Sequence, residues 1–189
     1  MSGLQRVFID TSELFPFTIM DTLLTMSEDL LFTWVWTDEV LDEWEQVIVR
    51  EGVRSTASAR SVTDAVRMYF EHDRIDPAQY RDKVTADLSP DPGDRIHAAA
   101  CVHGAVDVLL TRNLTHLRTS AIAAAGVDVM TSDAFLCALF QRHPAATRES
   151  FVRAATARRN PPTTPRDLAD RMAKAGTPRF TELLLPDLP

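Results

Sequence analysis

The first apolar run of the chain, Val7-Phe8-Ile9, leads straight into Asp10, Thr11 and Ser12. A second acid, Asp94, follows Asp91-Pro92-Gly93 and opens the helical stretch RIHAAACVHG. In a third segment the apolar stripe Val40, Leu41, Trp44, Val47 and Ile48 is flanked by Glu43 and Glu45 at similar angles on opposite sides, so periodicity does not choose between them. Carboxylate oxygens are hard ligands, and a cluster of them is suited to holding Mg²⁺ or Mn²⁺. Each position also has an ordinary structural use. Asp10 and Asp94 could be helix N-caps, and a helix glutamate usually faces solvent.

Charge distribution favours cations over a bare basic surface. The formal net charge is −7, but residues 1 to 140 carry 11 Lys/Arg against 22 Asp/Glu, and residues 141 to 189 carry 9 against 5. An acidic body meets nucleic acid badly unless its carboxylates hold cations, because phosphate needs positive potential. Cys101 and Cys137 both lie in apolar helical patterns without Cys-x-x-Cys spacing and read as buried thiols. There is no run of eighteen apolar residues and no basic-then-apolar leader, so neither membrane spanning nor secretion is signalled and a cytoplasmic location is expected.

The elements that must position these acids alternate. Val7–Ile9, Leu30–Val35, Val106–Leu110 and Val127–Met130 read as strands. Helices are expected over Ser12–Glu28 with Pro16 in the first turn, from Thr37 or Asp38 to Arg50, from Ser58 or Ser61 to His72, from Asp94 to Gly104, over Thr119–Ala125, and from Ser132 or Asp133 to His143. Residues 74–89 are weakly patterned and read as loop, with room for a short helix. Strands that are apolar throughout, separated by helices, indicate a parallel sheet covered on both faces, a three-layer α/β/α domain. In such a sheet ligands bind outside the carboxyl ends of the strands, where Asp10 and Thr111-Arg112-Asn113 lie.

The ordered set FIDTSELF, VLDEWEQVI and DPGDRIHAAACVHGAVDVLLTRNLTHL resembles the PIN-domain ribonucleases, in particular VapC-like toxins, over residues 7 to 140. The resemblance implies a PIN-like α/β fold and a divalent-metal-dependent endoribonuclease. It equates Asp10, Glu43 and Asp94 with the family's acidic residues and so selects Glu43 over Glu45. Asp10 and Asp94 would hold Mg²⁺ or Mn²⁺, directly or through water, with Glu43 ligating or orienting or deprotonating the attacking water. Thr11, Arg112, Asn113 and His116 would contact substrate. The implied substrate is structured RNA such as tRNA or ribosomal RNA, the implied partner a cognate antitoxin, and homodimers are common in the family. The alternative is a PIN fold with weak catalysis that serves as an RNA-binding or protein-interaction module. A departure supports that alternative: where the family often has a fourth acid, this chain has Asn113 and His116. Asn offers a carbonyl oxygen and His a nitrogen that suits Mn²⁺ or a transition metal better than Mg²⁺. Asp91 could substitute through water, or simply shape the turn before Pro92.

The remaining conspicuous residues divide similarly. His97 could touch the site or bond a neighbouring carboxylate or backbone group. Trp34, Trp36 and Trp44 read as core or interface residues, with Trp36 available to stack on a base if exposed. Residues 141–189 read as a basic extension of two helices, Ala145–Arg158 and Pro165–Lys174, joined by NPPTTP with Thr164 as cap. It resembles the helical extension of one VapC-like subgroup and could guide RNA, dock an antitoxin or cap the domain. Leu168, Met172 and Phe180 must pack on something.

Overall fold

The computed structural model describes residues 3–159 and 161–188. Four short strands, β1 (Arg6–Ile9), β2 (Thr33–Val35), β3 (Val108–Leu110) and β4 (Asp128–Met130), form one parallel sheet in the order β2-β1-β3-β4. Val7, Phe8, Ile9, Leu109 and Leu110 are fully buried, as strands covered on both faces require. The chain leaves β1 towards β2 but leaves β3 in the opposite direction, towards β4. Right-handed crossovers therefore place the first connecting helices on one face and the later ones on the other. The fold is an α/β three-layer PIN-like domain with a C-terminal helical layer.

The helix expected from Ser12 to Glu28 is broken. Pro16 has no N–H to donate and takes extended backbone (ψ 97°), splitting the segment into α1 (Thr11–Leu14) and α2 (Phe17–Glu28). After α2, Leu30 adopts a positive φ of 60°, so the apolar run 30–35 contributes only Thr33–Val35 to the sheet. Helices α3 (Asp38–Arg50) and α4 (Thr56–Tyr69) follow, capped by the Thr37 and Ser55 hydroxyls. Residues 74–89 hold only two single 3₁₀ turns, then α5 spans Arg95–His103. Short α6 (Leu114–Leu117) and α7 (Ser120–Ala124) lie between β3 and β4. Cys101 and Cys137 are both buried thiols. All three tryptophans are buried, which removes Trp36 as a base-stacking surface; its indole N–H donates to the Phe70 carbonyl at 2.8 Å.

The C-terminal layer is built of α8 (Ser132–Arg142), α9 (Pro144–Thr156), α10 (Pro165–Ala175) and α11 (Pro178–Leu184), the last of which lies beyond the two helices expected of the extension. Thr164 and Asp167 form a reciprocal capping box at the start of α10. Leu168, Met172 and Phe180 are fully buried, and Phe180 meets Phe151 edge-on at 6.0 Å. Two of the extension's arginines are engaged by the acidic residues of α2 and its C-terminal end: Arg153 pairs with Glu28 and Asp29, and Arg158 pairs with Asp21 at 2.7 Å. No described helix is long and apolar enough to cross a membrane.

Because Phe180 fills space between α8, α9 and α11, Phe180→Ala is expected to lower unfolding stability by about 3–5 kcal/mol. Urea denaturation followed by circular dichroism measures it, and a loss below ~1 kcal/mol would show that the extension is only loosely attached.

Candidate active site

Register brings the first site residue into place. Ile9 pairs with Leu110, so Asp10 and Thr111 emerge side by side, and the Asp10 amide donates to the Leu110 carbonyl at 2.9 Å. This is the switch point of the sheet, where connections on either side diverge and leave a crevice. Asp10 does cap α1, with Oδ2 accepting weakly from the Ser12 amide at 3.4 Å. The same oxygen accepts from the Ser12 hydroxyl at 2.6 Å and the Thr111 hydroxyl at 2.9 Å. All these donors converge on Oδ2, and no described side chain or backbone amide donates to Oδ1.

Asp94 is not an N-cap in this sense. Its backbone is already helical and its side chain accepts no capping bond; instead Oδ2 accepts from the Asn113 amide nitrogen at 2.8 Å. Glu43 and Glu45 part company in their partners. Glu45 accepts from Thr63 on α4 at 2.8 Å, whereas Glu43 turns towards α5 and meets His97 Nε2 at 2.7 Å. Asp10, Glu43 and Asp94 line one open cleft of about 340 Å³, together with Thr11, Ser12 and Asn113.

A second cluster adjoins it. His116 Nδ1 lies 3.5 Å from Asp94 Oδ2, 3.9 Å from Asp91 Oδ2 and 3.0 Å from the Asn113 amide nitrogen. Asp91, Asp94 and His116 thus offer three ligand atoms within 4.8 Å of one another. Asp91 shapes the turn, since its Oδ1 accepts from the Gly93 amide, while its Oδ2 faces His116. Arg112 stands apart from the cleft. Its guanidinium donates to buried Glu13 at 3.2 Å and to the Ala175 carbonyl at 2.5 Å, tying the loop after β3 to the end of α10. Gly176 makes room for it: its φ of +123° is open to glycine, and a Cβ there would sit 2.9 Å from Arg112 Nη2.

Electrostatics follow this geometry. Burial, then the charges of Asp10 and Asp91, push the Asp94 carboxyl above its ordinary pKa. The hydrogen bond from His97 outweighs burial at Glu43 and holds that carboxyl below its ordinary value. Burial opposes charging of His97, but Glu43 and the fields of Asp10 and Asp94 outweigh it and raise the imidazole pKa. His97 bonds a carboxylate, as its sequence position allows, and the partner it clamps is Glu43, which only the tertiary fold identifies. Its Nδ1 is buried without a partner among the described residues, as is the Thr11 hydroxyl.

Without divalent ions, Asp94→Asn is expected to melt at a higher temperature than the unsubstituted protein at pH 7. The sign follows from linkage: a carboxyl with a raised folded pKa binds its proton more tightly when folded, so ionising it costs stability as pH rises. The gap should close as pH falls below about 3.9, where the acid is protonated folded or unfolded. Thermal melts against pH in chelator test this, and an equal or lower melting temperature at pH 7 would contradict it.

Two family models match the chain. Residues 6–115 match the PIN domain family model, and residues 132–186 match the model of the VapC50 C-terminal domain. No curated protein and no solved structure matches the chain. VapC-like PIN domains are, in general terms, the ribonucleases of toxin–antitoxin systems. The chain therefore belongs to the PIN-domain family, as a VapC-like member with a helical C-terminal extension.

Proposed function

We propose that this protein is a divalent-metal-dependent endoribonuclease, the toxin half of a toxin–antitoxin pair acting in the cytoplasm. One observation carries the reading: acids from three distant parts of the sequence, Asp10, Glu43 and Asp94, line a single cleft. The residues fit Mg²⁺ or Mn²⁺. Asp10 Oδ1 has no described donor, burial together with the charges of Asp10 and Asp91 raises the pKa of Asp94 in a way that a cation would offset, and the Thr11 hydroxyl at the cleft is buried without a described partner. Asp10 and Asp94 would hold the ion with Glu43 nearby, and His116 with Asp91 would replace the family's fourth acid, a nitrogen that favours Mn²⁺. When bound, such an ion neutralises phosphate charge and makes water a better nucleophile.

Glu43 orients the attacking water. Its lowered pKa makes it a poor proton acceptor near neutrality, whereas the His97 bond fixes its carboxylate. Asn113 steadies Asp94 and His116 through one amide and would contact the scissile phosphate, together with Thr11. Arg112 serves the junction with the extension; its exposed donors are the ones left for substrate. The substrate class is structured RNA, tRNA or ribosomal RNA. The antitoxin would act by covering the cleft, and the toxin would pair as a homodimer.

Incubation of the protein with total RNA and Mg²⁺ or Mn²⁺, with end mapping of products, tests the proposal. Asp10→Asn, Glu43→Gln and Asp94→Asn should each reduce cleavage by about 10²-fold or more, and chelator should abolish it. Cleavage untouched by all three changes would overturn the assignment. A thermal shift with Mn²⁺ but no cleavage would favour the RNA-binding module instead.

A further inference from the structure

Outside the acidic cleft, a second cavity of about 360 Å³ opens where the extension meets the body. Phe17 and Asp21 of α2, Arg54 before α4, Arg158 after α9, Thr163, and Arg171 of α10 line it. Asp21 is committed to Arg158, whose Nε and Nη2 both donate to its Oδ2 at 3.0 and 2.7 Å. Arg54 and Arg171 are not ion-paired among the described residues. Arg54 lies over the Phe17 ring at 5.0 Å and donates to the Ser58 hydroxyl at 3.2 Å, so the guanidinium is held in place at little entropic cost. Arg171 has the Asp167 carboxylate one turn back on α10, and with three arginines against Asp21 in its lining the cavity still presents an excess of partly preorganised positive charge on a protein whose net charge is −7.

Its position favours one ligand. Phe15 lines the acidic cleft and Phe17 lines this cavity, two residues apart, at most about 7 Å of chain. Arg50 and Glu51 line the cleft, and Arg54 the cavity, in the same way. We propose that this cavity is a phosphate subsite: Arg54 and Arg171 bind a backbone phosphodiester of the RNA whose scissile bond lies in the cleft, a short distance along the strand. The inference rests on the ribonuclease reading and explains how an acidic body holds a polyanion. Bidentate guanidinium–phosphate bonding suits Arg at both positions.

The test is binding of a fluorescein-labelled single-stranded RNA, followed by anisotropy in chelator so that no cleavage is needed. Arg54→Ala/Arg171→Ala should weaken binding tenfold or more and reduce the slope of log affinity against log salt by about 0.7 for each phosphate no longer neutralised. Arg54→Lys/Arg171→Lys should recover only part of that affinity, because lysine restores the charge without the bidentate fork, and Arg148→Ala, in another pocket beside Glu149, should leave binding unchanged. Affinity of the double Ala variant equal to that of Arg148→Ala would overturn the subsite while leaving cleavage to be judged separately. RNA binding that depends on both arginines in a protein that cleaves nothing would sustain the subsite and sink the nuclease. Loss of binding to poly-glutamate with RNA affinity intact would overturn the RNA assignment in favour of an acidic protein partner.

Discussion

The parallel pairing of β1 with β3 is the constraint on which the site depends. It sets Ile9 opposite Leu110 and so puts Asp10 against Thr111 at the sheet's switch point. A slip of one residue would carry Asp10 to the other face and bury a carboxylate among Leu and Phe side chains. Because both strands are buried on both faces, that alternative is excluded by a desolvation cost far larger than the strands' own hydrogen bonding differences. The other site residues are brought to this fixed point by longer lever arms. Glu43 comes on α3, Asp94 at the start of α5, and Asn113 and His116 on the loop and short helix after β3.

These arms are held by polar contacts that run between elements. Thr111 and Ser12 saturate one oxygen of Asp10, Asn113 restrains Asp94, and His97 reaches from α5 to Glu43. The pattern leaves one acid depressed in pKa and another elevated, within the same cleft. Burial and neighbouring carboxylates raise one while the His97 bond lowers the other, so the two acids differ in environment although they share a cleft. Buried Glu13 extends the arrangement outward. It accepts from the Ser132 amide at the head of α8 and from Arg112, so the acidic cleft and the C-terminal layer share a support.

Much of the architecture is legible in composition and periodicity. Apolar runs without alternation announce buried parallel strands, and the placement of Asp10 and Asn113 at their ends follows from the fold class alone. What is not legible depends on contacts distant in sequence. Glu43 and Glu45 are equivalent on a helical wheel; only the bond from Thr63 on α4 to Glu45 and that from His97 to Glu43 distinguish them. The convergence of His116 with Asp91 is likewise tertiary, because neither residue lies in a pattern that fixes its direction. Pro16 is compatible with the first turn of one long helix, yet here its extended backbone ends one helix and begins another. The final helix leaves its trace only in Pro178 and the run Leu183–Leu185, a segment too short to display a helical period.

The seam between body and C-terminal layer has a consequence for descent. The Met172 sulfur accepts from the Thr22 hydroxyl, Arg153 grips the end of α2, and Arg158 donates to Asp21, so the surfaces on either side are mutually fitted. A PIN body that lost these helices would uncover apolar residues, and the helices grafted elsewhere would find no matching acids. For the fit to persist, a substitution on one side of the seam would need an answering change on the other.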